Sequence, residues 1–268
     1  MADKELFTLN GVGFAYERRK ALDDLSLSIT SGNFWGILGP NGCGKSTLLD
    51  LLAGCKIPGS GTIKYRGRDL AGLTKMEMAQ EIALVPQDYY INFSFTVHEI
   101  VMMGRHPYIP RFAAPARADF DLVDQVMELL KISRFKDKYI TDLSGGEKQR
   151  VIFARALTQD TPVLLLDEAT SNMDIQHTLD LLDTVAMAVG GRRKTVIAVL
   201  HNLNLAAAYC DKLIMMQAGK LVCAGAIDNV LTEANLHKVF GIESHIYFDD
   251  YSGSKQVVFK RRRKCELE

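Results

Sequence analysis

The sequence predicts an α/β fold with a mainly parallel sheet, an N-terminal antiparallel β subdomain and a helical insertion. Near-continuous apolar runs that alternate with helical stretches are typical of buried parallel strands joined by helices. The other two observations are a strand-like segment near the N-terminus, in which apolar residues alternate with serines, and a long middle region without a strand pattern. The four buried-strand candidates are 34–38, 82–85, 163–166 and 195–200.

The N-terminal segment has the pattern of an antiparallel sheet. Leu25, Leu27 and Ile29 alternate with serines in a period of two, which predicts a strand with one face in water. The apolar run 34–38 is followed by a glycine-rich loop and then by a helical pattern that Gly54 ends. This order predicts a buried strand, a loop and a helix.

Helical patterns without a convincing strand occupy about 88–160, and we interpret this region as an insertion into the α/β core. One of its helices has an apolar face. Three capping boxes, in which Glu follows Ser or Thr three residues later, mark helix starts in this half of the chain. The apolar face consists of Phe120, Val123, Val126, Met127 and Leu130, and the capping boxes are Thr74 with Glu77, Thr96 with Glu99, and Ser144 with Glu147.

The C-terminal third begins after His201 with a helical pattern, a hairpin that turns near 218–219 and a last helix over 233–240. We divide the chain into one domain over 1–242 and a β-like extension with a basic tail over 243–268.

The composition is that of a globular protein without net charge. The 32 basic and 32 acidic side chains balance, whereas a protein that holds nucleic acid through its phosphates needs a basic surface. We therefore expect no nucleic-acid partner. The five cysteines form no CxxC pair, which argues against a zinc site or a disulfide framework and favours a reducing compartment.

The sequence contains no candidate membrane span, since no apolar stretch approaches the roughly 20 residues that a spanning helix needs. Residues 1–10 lack the pattern of a secretory signal. The basic run 261–264 is interpreted as a solvated tail, and whether Leu267 and Glu268 are native stays open.

The glycine-rich loop after the first buried strand fits the pattern GxxxxGK[ST]. Its glycines let backbone amides wrap a phosphate, and the following helix N-terminus adds a positive dipole. Lys45 would reach the β- and γ-phosphates, and the Ser46 hydroxyl would bind Mg²⁺. A glycine turn that only links strand to helix does not explain why every position agrees. The loop comprises Gly39, Pro40, Asn41, Gly42, Cys43, Gly44, Lys45 and Ser46, followed by Thr47, and Cys43 receives no redox role.

Two carboxylates follow the apolar strand 163–166 and complete such a site. Asp167 would hold Mg²⁺, and Glu168 would orient or deprotonate the attacking water. The alternative is a solvated acidic pair at a strand end.

A serine and two glycines, Ser144, Gly145 and Gly146, open a helix together with Glu147. As a structural feature they are a capped helix start. The same arrangement also exposes amides that could bind a γ-phosphate.

The order of these motifs, with Gln87 and His201 between and after them, resembles the ATP-binding subunit of an ATP-binding cassette (ABC) transporter over nearly the whole chain. The resemblance implies a P-loop NTPase core with ATP and Mg²⁺ as cofactors. It also implies that the helix start at Ser144 completes the nucleotide site of a second copy, so that the working unit is a homodimer held together by ATP.

The resemblance also implies roles for single residues. Tyr16 would stack on adenine, although a plain core or surface tyrosine is the alternative. Gln87 would bind Mg²⁺ and act as the hinge of the insertion. His201 would contact the γ-phosphate, and Asp174 in the segment Ser171-Asn172-Met173-Asp174 would take part in sensing the other subunit.

Two positions depart from the family's common pattern. Ala169 replaces the usual proline after the glutamate, and Asn202 replaces the usual aspartate after the histidine. Neither position supplies a phosphate or metal ligand, so we still expect hydrolysis.

The segment 102–112 and the tail from Phe240 resemble the subgroup that serves importers of iron-siderophores, haem and cobalamin. This implies transmembrane permease subunits as direct partners, a substrate-binding protein as an indirect one, and a peripheral location at the cytoplasmic face of the inner membrane. Four aromatics after Gln87 are either the lining of a groove for a permease helix or part of the insertion core. They are Tyr89, Tyr90, Phe93 and Phe95.

Two other functions compete with transport. A soluble cassette ATPase acting as a mechanical module in DNA repair or translation usually brings a long coiled coil or a second cassette, and the sequence shows neither. A phosphate-loop kinase would not explain the segment Leu143 to Glu147.

Overall fold

The computed structural model describes residues 4–87, 89, 93–169, 173–190 and 194–261. Within these ranges no helix is both long and apolar enough to cross a membrane. The strands are β1 (Glu5–Tyr16), β2 (Arg19–Thr30), β3 (Phe34–Leu38), β4 (Ser60–Tyr65), β5 (Arg68–Asp69), β6 (Ile82–Val85), β7 (Val163–Asp167), β8 (Thr195–Val199), β9 (Lys212–Gln217), β10 (Lys220–Ala226), β11 (Ser244–Asp249) and β12 (Ser254–Phe259). The helices are α1 (Lys45–Leu52), α2 (Lys75–Glu81), α3 (Val97–Met102), α4 (Arg117–Leu129), α5 (Gly145–Thr158), α6 (Ile175–Gly190), α7 (Leu203–Tyr209), α8 (Ile227–Val230) and α9 (Glu233–Phe240).

The central sheet has six strands in the order β10-β9-β3-β8-β7-β6. All neighbours are parallel except the edge strand β10, which is antiparallel to β9. Every residue of β3, β7 and β8 is buried, as the apolar runs predict. The prediction of a mainly parallel α/β core is therefore confirmed, with β7 one residue longer than its apolar run so that it ends at Asp167.

The N-terminal subdomain is an antiparallel sheet in the order β2-β1-β4-β5. In β2 the side chains of Leu25, Leu27 and Ile29 are buried, whereas Ser26 and Ser28 are exposed. The alternation along the sequence therefore marks the two faces of this strand, as predicted.

The insertion packs α3, α4 and α5 together, and in 93–160 the structure records one isolated bridge, between Thr96 and Tyr139, instead of a strand. The predicted apolar face of α4 is covered except at Phe120, which is 42 % exposed. This residue lies in the first turn of α4, at the border of the apolar stripe, and its ring stacks on His98 at 6.0 Å. The other four residues of that face are buried, and the three predicted capping boxes are present.

The C-terminal extension is a hairpin of β11 and β12 that packs on α7 and α9. Val257 in β12 is 2 % exposed and belongs to the same apolar core as the helical insertion. The extension thus packs against the domain. Residues 262–268, with the end of the predicted basic tail, lie outside the described part of the chain.

A buried ion pair ties the insertion together at the segment that carries the subgroup resemblance. Arg105 Nε lies 2.8 Å from Asp119 Oδ1, and the two side chains are only 14 % and 12 % exposed. Asp119 also accepts a hydrogen bond from the amide of Ala116, which precedes α4. Arg105 donates a second hydrogen bond to the carbonyl oxygen of Thr158 in α5. The guanidinium lowers the pKa of Asp119.

Replacement of this arginine will destabilise the protein. We expect Arg105→Met to lower the free energy of unfolding at pH 7 by about 3 kcal/mol, because it leaves Asp119 charged without its partner. A depressed carboxylate pKa contributes stability above its unfolded value of about 3.9, and that contribution is lost as the pH falls through the folded pKa. The difference between variant and parent, measured by urea unfolding, will therefore shrink progressively as the pH falls below about 3.9.

Lys136→Met is the matched control, because Lys136 pairs with Asp124 on the same helix and both side chains are well exposed. It should cost less than about 1 kcal/mol. Equal losses of unfolding free energy in Arg105→Met and Lys136→Met would contradict a stabilising role for the buried ion pair.

Candidate active site

The glycine-rich loop links β3 to α1 and can take its shape only with glycine at key positions. Gly44, which precedes α1, has φ of 102°, and a Cβ there would lie 2.5 Å from the carbonyl oxygen of Ala21. At Gly39 a Cβ would meet the carbonyl oxygen of Met216. The close approach of β2 and β9 therefore requires glycine on both sides of the turn.

The side chain of Lys45 is folded into this loop. It is 5 % exposed, and its ammonium donates to the carbonyl oxygens of Gly39 at 2.9 Å and Pro40 at 3.1 Å. The loop thus surrounds a buried positive charge, which is the property that a phosphate site needs.

A cavity of about 540 Å³ lies above the loop and brings together side chains from distant parts of the sequence. Because the carboxyl ends of parallel strands meet at one edge of a sheet, the residues that follow β3, β6, β7 and β8 all reach this cavity. Its lining consists of Tyr16, Arg19, Ala21, Asn41, Gly42, Gly44, Lys45, Ser46, Thr47, Gln87, Glu168 and His201.

Asp167 lies behind this lining, at the end of β7. Its Oδ1 accepts a hydrogen bond from Ser46 Oγ at 3.0 Å. Burial raises the pKa of Asp167 to about 6, and the nearby carboxylate of Glu168 acts in the same direction, while the bond from Ser46 opposes the shift. A divalent cation beside this pair would favour the ionised carboxylate.

The donor set suits magnesium. Ser46, Asp167 and Gln87 offer a hydroxyl, a carboxylate and an amide oxygen, and Mg²⁺ prefers oxygen ligands shared with substrate phosphates. In the described residues no group of three or more His, Cys, Asp or Glu side chains could hold a metal alone. A cation here would therefore depend on the phosphates as much as on the protein.

Glu168 is held at both carboxylate oxygens. His201 Nε2 lies 2.6 Å from Oε1, and Gln87 Nε2 donates to Oε2 at 2.9 Å. The residue has φ of 49°, a left-handed conformation that is uncommon outside glycine. The turn directs the side chain from the end of β7 into the cavity between the ends of β6 and β8.

Tyr16 forms the far wall of the cavity. Its ring is 46 % exposed and packs edge-on against Phe14 at 5.0 Å, and its hydroxyl lies 3.4 Å from Thr47 Oγ1. The ammonium of Lys56 lies 5.4 Å from the ring centroid. An exposed aromatic face at this place could stack on a base.

The four residues from Ser144 to Glu147 are not in this lining. Ser144 and Glu147 form a capping box at the start of α5, with Glu147 Oε2 2.9 Å from the Ser144 amide. Ser144 and Gly145 are exposed, and a Cβ at Gly145 would meet nothing within 4 Å. This helix start is thus a surface feature of the single chain.

Several other predicted residues also lie away from the cavity. Cys43 is buried behind the loop, and burial raises the pKa of its thiol, which fits the absence of a predicted redox role. Asp174 accepts from the amide and ring of His177 in the first turn of α6. Ser171 and Asn172 lie outside the described residues.

The aromatic residues after Gln87 were predicted to line a groove or to belong to the insertion core, and the structure shows some exposed and one packed against the core. Tyr89 packs against the core, whereas Phe93 and Phe95 are 72 % and 37 % exposed. Tyr90 lies outside the described residues.

Sequence reasoning missed Arg19 and Ala21 in the lining. Arg19 is exposed, and its Nη2 lies 3.3 Å from where a Cβ of Gly42 would be. The cationic run Arg18-Arg19-Lys20, two residues after Tyr16, was a signal for a phosphate-facing charge. Only the antiparallel pairing of β1 with β2 brings it to the loop.

Fold and cavity define a P-loop nucleotide-binding protein, because a buried lysine in a glycine loop and a Ser-Asp pair meet at the edge of a parallel sheet. The chain belongs to the ABC transporter family, whose model matches residues 22–171.

Its relatives bear names of importer subunits. The cobalamin import ATP-binding protein BtuD of Halobacterium salinarum is 40 % identical over 89 % of this chain, but the match spans only 59 % of that relative. The ferric enterobactin transport ATP-binding protein FepC of Escherichia coli is 35 % identical, over 91 % of this chain and 90 % of its own length. The hemin import ATP-binding protein HmuV of Rhodococcus jostii is 36 % identical, over 96 % and 88 %. The predicted resemblance to this subgroup is confirmed.

A solved structure agrees with these relatives. A transporter described as of the metal-chelate ABC type, in an inward-facing conformation, has a TM-score of 0.82 and is 29 % identical, over 98 % of this chain and 99 % of its own. The fold therefore matches over almost the entire chain, including the C-terminal extension.

The ammonium inside the loop yields a direct prediction. Lys45→Met should weaken ATP binding by about a hundredfold or more, because charge-assisted contacts to phosphate contribute about 3 kcal/mol. The measurement is a titration with a fluorescent ATP analogue. Lys64→Met, at an exposed lysine of β4, is the control and should bind as the parent does. Equal affinities for all three proteins would show that Lys45 does not face the phosphates.

Proposed function

We propose that the chain is the ATP-hydrolysing subunit of a membrane importer for cobalamin, an iron-siderophore or haem. The observation that carries this function is the carboxylate of Glu168, held between Gln87 and His201 at the edge of the cavity that contains Lys45 and Ser46. The names of the relatives support the transport role, and no comparison favours a soluble ATPase acting on DNA or ribosomes.

The loop would hold the phosphates of ATP. Backbone amides of the loop and the ammonium of Lys45 offer donors to the β- and γ-phosphates, while the exposed face of Tyr16 offers a surface for adenine. Ser46, Asp167 and Gln87 would hold Mg²⁺, which neutralises phosphate charge when bound.

Glu168 would act on the attacking water. A carboxylate that accepts two hydrogen bonds is oriented but keeps lone pairs for a water proton. His201, on the other side of Oε1, would fix the position of that carboxylate and reach the γ-phosphate.

The surface position of Ser144, Gly145 and Gly146 supports a homodimer in which each helix start completes the site of the other copy. A capped helix start with free space in front of it is open to a partner's phosphate. ATP would then act as a bridge between the copies, and Asp174 would lie near the same interface.

The permease subunits are the second class of partner. Gln87 contacts Glu168 and also precedes the insertion, so movement of the insertion and occupancy of the site are mechanically linked there. Phe93 and Phe95 offer an exposed apolar surface next to this hinge. The chain would sit at the cytoplasmic face of the inner membrane, and a substrate-binding protein would meet the permease from the other side.

The central test removes the base. Glu168→Gln keeps the size and shape of the side chain but removes the proton acceptor, so ATP should bind and trap the dimer while single-turnover hydrolysis slows by about a hundredfold or more. Quench-flow with radiolabelled ATP measures it, and Glu128→Gln, at an exposed glutamate of α4, is the control. Hydrolysis at the parent's rate would remove Glu168 from this role.

The composite site has a separate test. In the Glu168→Gln background, Ser144→Arg should abolish the ATP-dependent dimer in light scattering and leave ATP binding by the monomer nearly unchanged, because Ser144 lies outside the cavity of its own chain. Asp121→Arg, at an exposed site of the same subdomain, should leave the dimer intact. A dimer that persists in Ser144→Arg would exclude this surface from the interface.

A further inference from the structure

Two helices bind the C-terminal hairpin, one on each side, at the same pair of cross-strand residues. Ile246 and Val257 are cross-strand partners in β11 and β12. The Val257 amide donates to Asn204 Oδ1 at 2.7 Å, and the Ile246 amide donates to Glu233 Oε1 at 3.0 Å. Side chains of α7 and α9 thus each accept a hydrogen bond from one outward-facing amide of a two-stranded hairpin, which on its own would be only marginally stable.

The contact between the hairpin and α7 is connected to the cavity. Asn204 lies in the first turn of α7, and its backbone amide donates at 2.9 Å to the side chain of Asn202, which caps the helix. His201 immediately precedes that cap. A short chain of bonded groups therefore runs from the hairpin at Val257 through Asn204 and Asn202 to the residue that contacts Glu168.

Asn204 forms both halves of a strand-like contact with β12. Besides accepting the Val257 amide, its Nδ2 lies 3.5 Å from the Val257 carbonyl oxygen. Val257 is 2 % exposed, so these backbone groups gain little from water if Asn204 is removed.

α7 needs such a support because it has only seven residues. Isolated helices of this length are unstable, and tertiary contacts decide where they lie. His201 itself is 43 % exposed and is held on its protein side through Glu168. Glu168 holds the ring at one nitrogen, so the position of the His201 backbone depends on the helix that begins two residues later.

We propose that the hairpin of β11 and β12, acting through Asn204, positions His201 for ATP hydrolysis. This inference rests on the function proposed above for His201. Asn204 is a positioning residue, since it lies outside the cavity lining and reaches the site only through α7.

The first experiment compares turnover with nucleotide affinity. Asn204→Ala should lower kcat roughly tenfold, because displacement of a catalytic group by a fraction of an ångström is costly, and leave KM for ATP nearly unchanged. Lys45 and Tyr16 stand on other elements and keep their places. Asn204→Asp keeps the acceptor for the Val257 amide and should recover most of the activity.

The matched control is Val258→Ala. Val258 is adjacent to Val257 on β12 and is 44 % exposed. Its removal should leave kcat and KM at parent values. A loss equal to that of Asn204→Ala would mean that any change to the hairpin slows hydrolysis and would overturn the specific role of Asn204.

A second experiment separates positioning from a general effect on folding. In a His201→Ala background, Asn204→Ala should cause no further loss of hydrolysis, since the residue it positions is gone. A further tenfold loss would overturn the proposal. His201→Ala hydrolysing at the parent's rate would instead overturn the proposed role of His201, which distinguishes the two failures.

A spectroscopic measurement reports on the His201 ring directly, without depending on turnover. The ring resonances of His201, assigned by comparison with His201→Ala, should shift in Asn204→Ala and stay in place in Val258→Ala. Should Asn204→Ala not fold, Asn204→Ser, which shortens the side chain but keeps a polar group, replaces it in all three measurements. Unchanged His201 resonances and unchanged kcat would overturn the proposal.

Discussion

Parallel pairing of the central strands is the constraint on which the site depends. Since β3, β6, β7 and β8 run in one direction, the loops at their carboxyl ends come to one edge of the sheet. Lys45, Gln87, Glu168 and His201 are distant in sequence, yet each follows one of these strands by a few residues. Burial of these apolar strands holds them paired in register. The loops at their ends therefore stay next to one another and form the cavity.

The site stores some strain at Glu168. Its left-handed backbone costs of the order of 1–3 kcal/mol for a residue other than glycine. The bonds from Gln87 and His201 hold the side chain once it is there. Each of these partners also belongs to a larger element, Gln87 to the entry of the insertion and His201 to the loop before α7. A change in either element would therefore be felt at the carboxylate, which is how a domain of this kind can link hydrolysis to movement.

Much of this fold and site could be predicted because the evidence was local. The capping box at Ser144, the turn near 218–219 and the phosphate loop are each encoded within a few residues, so spacing alone indicates them. The exposure of Phe120 could not be predicted, because periodicity gives the direction of a side chain but not the extent of what covers it. Arg19 was missed because its approach to the loop depends on the long-range pairing of β1 with β2.

The sequence by itself determined the buried strands of the central sheet, the glycine loop and the chemical groups at the strand ends, since these depend on residue type and short-range spacing. Only the tertiary structure decided that Glu168 lies between His201 and Gln87 and that the helix start at Ser144 lies outside its own chain's cavity. It also decided that a hairpin some fifty residues beyond His201 is bonded to the helix that follows His201. Contacts of that span depend on how whole elements pack, and no local pattern records them.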